Sequence, residues 1–284
     1  MGAPTNSSHC RFFDPRRGRN MLPKAPMLLM CLMLSGAAAP AAMAQDEASQ
    51  AADTREVGNP VGTEREPTAI AALERMGAYL RSLTTFAVEG VGSTEESLTT
   101  GQKVMYPGTI DLLASRPNRL RANVYSTRKR REFYYDGKSL TVFAPRQGFY
   151  AEIAAPPTIK ELLDKAQDRL GLVIPLSDLF ELGTDPAQMA RISTAFFVST
   201  DVVGGQVCNH FAFRQPDVDW QIWIRDGAQA LPCKWVITGA SGDSAGLNYE
   251  MEFTWDLKPT VPANAFTFLP PTGADRIALA SIKQ

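Results

Sequence analysis

Apolar residues first recur at helical spacing. Ile70, Leu73, Met76, Gly77, Leu80 and Leu83 follow Pro67-Thr68, which predicts one amphipathic helix ending near Ser82, with Thr68 as its N-cap. The period then falls to two. Phe86, Val88 and Gly90 alternate with Ala87, Glu89 and Val91. Residues 102–114 hold a second strand, interrupted by Pro107-Gly108, so a bulge or an edge position is expected there. From Arg119 to Tyr125, Leu120, Ala122 and Val124 face one way, and Arg119, Arg121 and Asn123 the other. Glu132–Tyr135 and Ser139–Phe143 flank Asp136-Gly137, a hairpin turn signal. Phe149–Ile153 reads as one more strand.

Pro156-Pro157 stops that run. Thr158 is placed to cap a helix carrying Ile159, Leu162, Leu163, Ala166 and Leu170, and Pro175 opens a shorter helix through Leu182. Strand patterns resume at Ala195–Val203, Val207–Arg214, Asp219–Arg225, Lys234–Gly239 and Leu247–Leu257. Phe266-Thr267-Phe268 precedes Pro270-Pro271 near the end. The order is helix, about five strands, two helices, about five strands. Strands joined by short turns are antiparallel. The pattern predicts an α+β fold with two or three helices gathered on one side of a curved antiparallel sheet. No composition shift marks an internal boundary, and no fixed-period repeat is visible.

The N-terminal region has a different pattern. Met27–Leu34 is an apolar run preceded by Lys24, and Ala42-Met43-Ala44 is a small-x-small site before Gln45. The run is far shorter than the ~20 residues that span a bilayer. It reads as a secretory signal cut between Ala44 and Gln45, leaving no transmembrane anchor. Translation can start at Met1 or Met21. Cys31 sits within the apolar run after Met30, which does not fit lipid modification, and Arg16-Arg17 lacks the apolar pair a twin-arginine signal needs. The expected organisation is a signal at 1–44, a polar disordered leader at 45–67, one domain at 68–274 and a tail at 275–284.

Export changes the composition that matters. The whole chain has formal charge −1, and residues 1–44 hold five basic residues and one acid, so the mature chain stands at −1 − 4 = −5. This balance speaks against a nucleic-acid binder. Cys10 and Cys31 leave with the signal. Cys208 and Cys233 remain, as a possible disulfide in an oxidising compartment or as two buried thiols.

Catalytic signatures are sparse. His210 is the one histidine of the mature chain, in a strand beside Cys208 and Ala212. No G-x-S-x-G elbow accompanies it, so it reads as a strand residue, and a hydrolase built on His210 is the least favoured activity. No zinc, EF-hand or phosphate-loop motif is present, and no metal or cofactor is expected. A basic stretch, Arg116, Arg119, Arg121, Arg128, Lys129, Arg130 and Arg131, has no acid among residues 112–131. It suits an anionic partner or, more plainly, a solvated strand face that blocks edge pairing. The apolar strand positions Phe86, Val88, Leu120, Val124, Tyr135, Leu140, Trp220, Ile222 and Trp235 form either an ordinary core or the lining of a ligand cavity.

Several segments together carry a resemblance. They are Tyr135-Asp136-Gly137-Lys138-Ser139-Leu140-Thr141-Val142-Phe143-Ala144-Pro145, Tyr150–Ile159, Cys208–Phe213 with Asp219–Ile224, Leu231-Pro232 and Phe266–Pro271. In this order the chain resembles a family of predicted periplasmic proteins within the LolA/LolB-like lipoprotein-carrier superfamily. The resemblance implies an unclosed β-barrel with helices over its mouth, and a periplasmic location. It also implies a binding or carrier protein rather than an enzyme, with helices 158–171 and 175–182 as a lid. The implied ligand is a lipid, lipoprotein or other apolar envelope molecule. The alternative is a sensor or scaffold that contacts another envelope protein.

Overall fold

In the computed structural model, which describes residues 65–170, 174, 176–242 and 245–278, the strands form one sheet in the order β12-β6-β5-β4-β3-β2-β1-β11-β10-β9-β8-β7. The predicted signal, its Ala44–Gln45 cleavage site and the leader through Glu64 lie outside the described residues. After α1 (Pro67–Ser82) come β1 (Thr85–Ser97), β2 (Lys103–Ser115), β3 (Arg119–Ser126), β4 (Arg130–Tyr135), β5 (Ser139–Ala144) and β6 (Phe149–Ala154). Next are α2 (Ile159–Leu170), a 3-10 turn (Ser177–Phe180) and α3 (Pro186–Ala190). The second run is β7 (Thr194–Val203), β8 (Gln206–Gln215), β9 (Val218–Arg225), β10 (Pro232–Gly239) and β11 (Asn248–Asp256), and β12 (Asp275–Arg276) ends the order.

Two antiparallel meanders, β1–β6 and β7–β11, meet where β1 pairs with β11, with Val88 opposite Trp255. The sheet is not closed, because its order ends in β7 on one side and β12 on the other. Among the described strands, only β12 is parallel to its neighbour, β6. This strand lies just past the 274 boundary expected from sequence. Arg65 bridges Ala195 at the start of edge strand β7, and the Glu66 amide donates to the Ala195 carbonyl at 2.8 Å.

Local expectations are met where the chemistry is local. Thr158 accepts from the Glu161 amide at the start of α2, and Asp136 Oδ1 accepts from the Lys138 and Ser139 amides in the β4–β5 turn. Three details differ. Helix α1 begins at Pro67, ahead of Thr68, with Glu66 as a cap residue whose side chain makes no cap bond. The Glu66 carboxylate instead accepts from the Phe197 amide. The strand through Pro107 has no bulge, and Pro107 sits opposite Ser93 in unbroken register with β1. Pairing of β2 with β3 runs only from Gly108 to Ser115, so Pro107 has no strand partner on that side, a position that suits a residue lacking an N–H. Where a second helix is expected over 175–182, the described residues form only the turn Ser177–Phe180, and α3 follows it because Asp185 caps the Ala187 amide with Pro186 in the first turn.

One apolar cluster joins the helices to one face of the sheet. Ala69, Leu73, Met76 and Leu80 of α1, and Ile159, Leu162, Leu163 and Ala166 of α2, are buried with Phe86, Leu112, Leu120, Tyr135, Leu140 and Ile222. We call this the inner face. On the outer face a strap of residues 257–274 runs from the end of β11 to β12. Its Phe268 ring lies 5.1–5.3 Å from the rings of Tyr134, Phe143 and Tyr150.

Candidate functional site

The inner face is built from cross-strand rows. Trp255, Val88, Leu112, Ala122, Phe133, Val142 and Ala151 stand opposite one another in turn from β11 to β6. Beside them run Phe86, Ala114, Leu120, Tyr135, Leu140 and Ile153. Neither row holds a charge. At ~4.8 Å between strands the longer row spans roughly 29 Å. Phe86, Val88, Leu120, Val124, Tyr135, Leu140, Trp220 and Ile222 all fall in the buried cluster, and Trp235 is buried with its ring 6.4 Å from that of Trp220.

Several polar contacts tie down the cover over these rows. The Tyr135 hydroxyl donates to the Pro156 carbonyl at 2.6 Å, just before α2. Burial first, then the Glu161 and Asp136 charges, push the Tyr135 phenol up to about 12, so it remains a donor. The Ile159 amide donates to the Pro117 carbonyl, and Lys165 Nζ to the Ala154 carbonyl. Phe180 of the 3-10 turn reaches the Phe86 ring at 6.1 Å. Against α1, a Cβ on Gly77 would lie 2.5 Å from the Leu182 carbonyl, and Gly183, at φ 73°, would place one 2.1 Å from the Leu73 carbonyl. Helix and turn therefore touch backbone to backbone.

The structure places the residues of the basic stretch at separate positions. Strand alternation and tertiary contacts scatter it. Arg116 points to the Leu80 carbonyl and stacks over Phe180. Arg121 stacks over Tyr134 on the outer face. Arg128 pairs with Glu96 and Arg130 with Glu132. Arg131 donates to Gln147, burial lowers its pKa, and its partner across β3 is Val124. Lys129 lies in the β3–β4 turn, where its amide and carbonyl engage the Ser126 hydroxyl, and Arg119 is exposed at the start of β3.

Cys208 and Cys233 form a disulfide. His210 is buried on the outer face, its ring 3.8 Å from Trp223 and nearly parallel to it. Its Nε2 faces Gln221 Oε1 at 3.0 Å, while Ser199 Oγ and Asp201 Oδ2 both approach Nδ1, at 3.4 and 3.6 Å. A nucleophile–base–acid relay needs the hydroxyl and carboxylate on different ring nitrogens. Here they share one, and Gln221 occupies the other. Burial pulls the His210 pKa down, against the opposing effects of Gln221 and Asp201. Among the described residues no three His, Cys, Asp or Glu side chains are grouped to hold a metal ion, and no helix is long and apolar enough to cross a membrane.

Sequence patterning did not single out an outer-face cleft of about 360 Å³ lined by Glu89, Asp111, Arg121, Asn123 and Asp256. Alternation marks each of these as facing away from the core. Only the register shows that they are neighbours.

Solved structures resemble the chain at low identity. The lipoprotein LppX of Mycobacterium tuberculosis is 11% identical over 69% of this chain and 98% of its own, with a TM-score of 0.43. LprF of Mycobacterium bovis is 16% identical over 74% and 99%, at 0.41. A LolA superfamily protein of Nitrosomonas europaea is 10% identical over 70% and 97%, at 0.33. No curated protein is significantly similar in sequence. A family model described as "Predicted periplasmic protein (DUF2092)" matches residues 69–280, which agrees with the compartment that the export signal predicts. The chain belongs to that family of predicted periplasmic proteins.

Proposed function

We propose that residues 68–274 form one unit that binds an acyl lipid, lipoprotein or similar apolar envelope ligand between the inner face of the sheet and its helical cover. The observation that carries this reading is the pair of uncharged cross-strand rows from Trp255 to Ala151 and from Phe86 to Ile153. A face this long, covered by α1, α2 and the 3-10 turn, becomes an apolar trough when the cover shifts. An extended hydrocarbon chain then replaces the helix side chains as the groups that exclude water. No bond is made or broken, so no catalytic residue or cofactor enters the mechanism. The lid is α2 with the Ser177–Phe180 turn, and Pro156 is the point about which α2 is anchored.

Native mass spectrometry of the mature protein recovered from a periplasm tests this. Acyl species should leave with the protein and reload after delipidation. A clean apo mass, together with no uptake of a fluorescent fatty acid by delipidated protein, would sink the proposal.

A second reading, a scaffold that contacts another envelope protein, is favoured by edge strand β7. Phe197, Val198 and Val202 are exposed there, with Val207 beside them on β8. Residues 65 and 66 bond the start of this edge at Ala195 and Phe197, and the exposed apolar residues beyond them suit the addition of another strand. Stable co-purification with one envelope protein, abolished by Val202→Lys, would favour it over the carrier.

A further inference from the structure

We propose that the outer-face cleft binds a small organic cation through a primary ammonium group. The cleft lies on the opposite side of the sheet from the acyl trough, and the proposal does not depend on that reading. Its floor is set by register. Thr254, Glu89, Asp111 and Asn123 stand opposite one another in turn across β11, β1, β2 and β3. The adjacent row is Asp256, Ala87, Leu113 and Arg121. Pro259 and Thr260 of the strap form one wall, and the volume, about 360 Å³, suits a small molecule.

Three features point to an ammonium ligand. Charge is the first: three carboxylates and one guanidinium leave −3 + 1 = −2. Glu89 and Asp111 face each other directly, an arrangement that repels unless a cation lies between them. Asp111 responds as expected: burial first, and then Glu89, raise its pKa, against Arg121. The cleft's own cation stacks on an aromatic ring, with Arg121 Cζ 4.9 Å from the Tyr134 centroid.

Asn123 supplies the second feature. It is 8% exposed, lines the cleft, and its Oδ1 is buried with no donor. Buried acceptors on rigid strands are rarely left so, and a ligand N–H would complete this one. Ammonium is all donor, and the three carboxylates with Asn123 Oδ1 are all acceptor.

The third feature is spacing. Among the described residues no three carboxylates are grouped to hold a metal ion. Acceptors spread over a strand-spaced floor suit an extended amine, and Leu113 and Ala87 offer apolar surface to its methylenes. The same group is found in free aliphatic amines and in the ethanolamine headgroup of a lipid.

Titration calorimetry on the mature protein tests the proposal with 1,4-diaminobutane, tetramethylammonium and calcium as probes. Vesicles containing phosphatidylethanolamine, compared with phosphatidylcholine alone, form a second arm. The diamine should bind, and Glu89→Gln and Asp111→Asn should each weaken it about tenfold, the worth of one charged hydrogen bond. Glu89 is exposed, so its variant keeps the fold even if a change at buried Asn123 does not. Diamine binding without vesicle preference assigns a free amine. Binding confined to phosphatidylethanolamine vesicles, and weakened by Glu89→Gln, assigns a headgroup. No binding in either arm overturns the proposal. So does equal affinity for tetramethylammonium, which has no N–H, or binding of calcium alone.

Discussion

Cys208 on β8 is bonded to Cys233 on β10, although β9 lies between these strands. The join is possible because of two local features. Strand β9 ends at Arg225, the residue opposite Cys208. The β9–β10 register shifts between Pro232 and Lys234, so Cys233 is the extra residue at the irregularity. The bridge therefore passes the end of β9, with a Cα–Cα separation of 6.7 Å.

Closing that 25-residue separation constrains the unfolded chain. A Cys208→Ser/Cys233→Ser double variant should lose roughly 3 kcal/mol in the chain-entropy model. For a chain of this size that is a fall of about 6–12 °C in Tm. Calorimetry under oxidising conditions checks it, and an unchanged Tm would show that the bridge does not hold the meander.

Stability should also depend on pH through His210. Its folded pKa is lowered from 6.5 by burial. Above that value neither state carries the proton. As pH falls below 6.5 the unfolded histidine takes a proton first, so stability declines until the depressed folded value is passed. His210 is the single histidine of residues 45–284, so no other imidazole titrates in that window. Urea midpoints from pH 7.5 to 5 should fall, and His210→Gln should flatten the fall over this interval. An identical slope in the variant would assign the dependence elsewhere.

Backbone contact between α1 and the 182–184 segment leaves no room for a side chain. Gly77→Ala should cost about 1–3 kcal/mol, as overpacking does. Gly183→Ala meets the Leu73 carbonyl and also sits at φ 73°, so it should cost more than Gly77→Ala. Urea denaturation of both ranks them. The reverse order would mean that the turn moves away from α1 easily.

Tyr135→Phe removes the donor to Pro156 and leaves a carbonyl unsatisfied just before α2. A loss of about 1–3 kcal/mol is expected. Hydrogen exchange should rise first in α2, whose entry Pro156 anchors. Exchange spread evenly over the molecule would show that the contact supports the sheet rather than the helix.

Much of this structure was legible in the chain because its information is local. Alternation from Arg119 to Tyr125 reports one buried face whatever strand lies beside it, and Asp136-Gly137 makes its turn with its own side chain and backbone. The periodic residues of α1 mark its buried side for the same reason. The α2 cap at Thr158 acts within one turn. The helix expected through Leu182 is a 3-10 turn at Ser177–Phe180, because apolar spacing over so few residues does not separate the two.

Other features are non-local. Seven basic residues close in sequence part company, since neighbours on a strand point to opposite faces and Arg116 lies beyond the strand altogether. Glu89, Asp111, Asn123 and Asp256 read one by one as solvent-facing positions. The antiparallel registers of β11, β1, β2 and β3 make them one acidic cleft with an orphan amide oxygen. The sequence by itself determined the elements, the two meanders and the apolar face, because period and turn chemistry act over a few residues. Only the tertiary structure decided that β1 joins β11, that Cys233 reaches Cys208, and which polar groups meet, because each depends on register between distant segments.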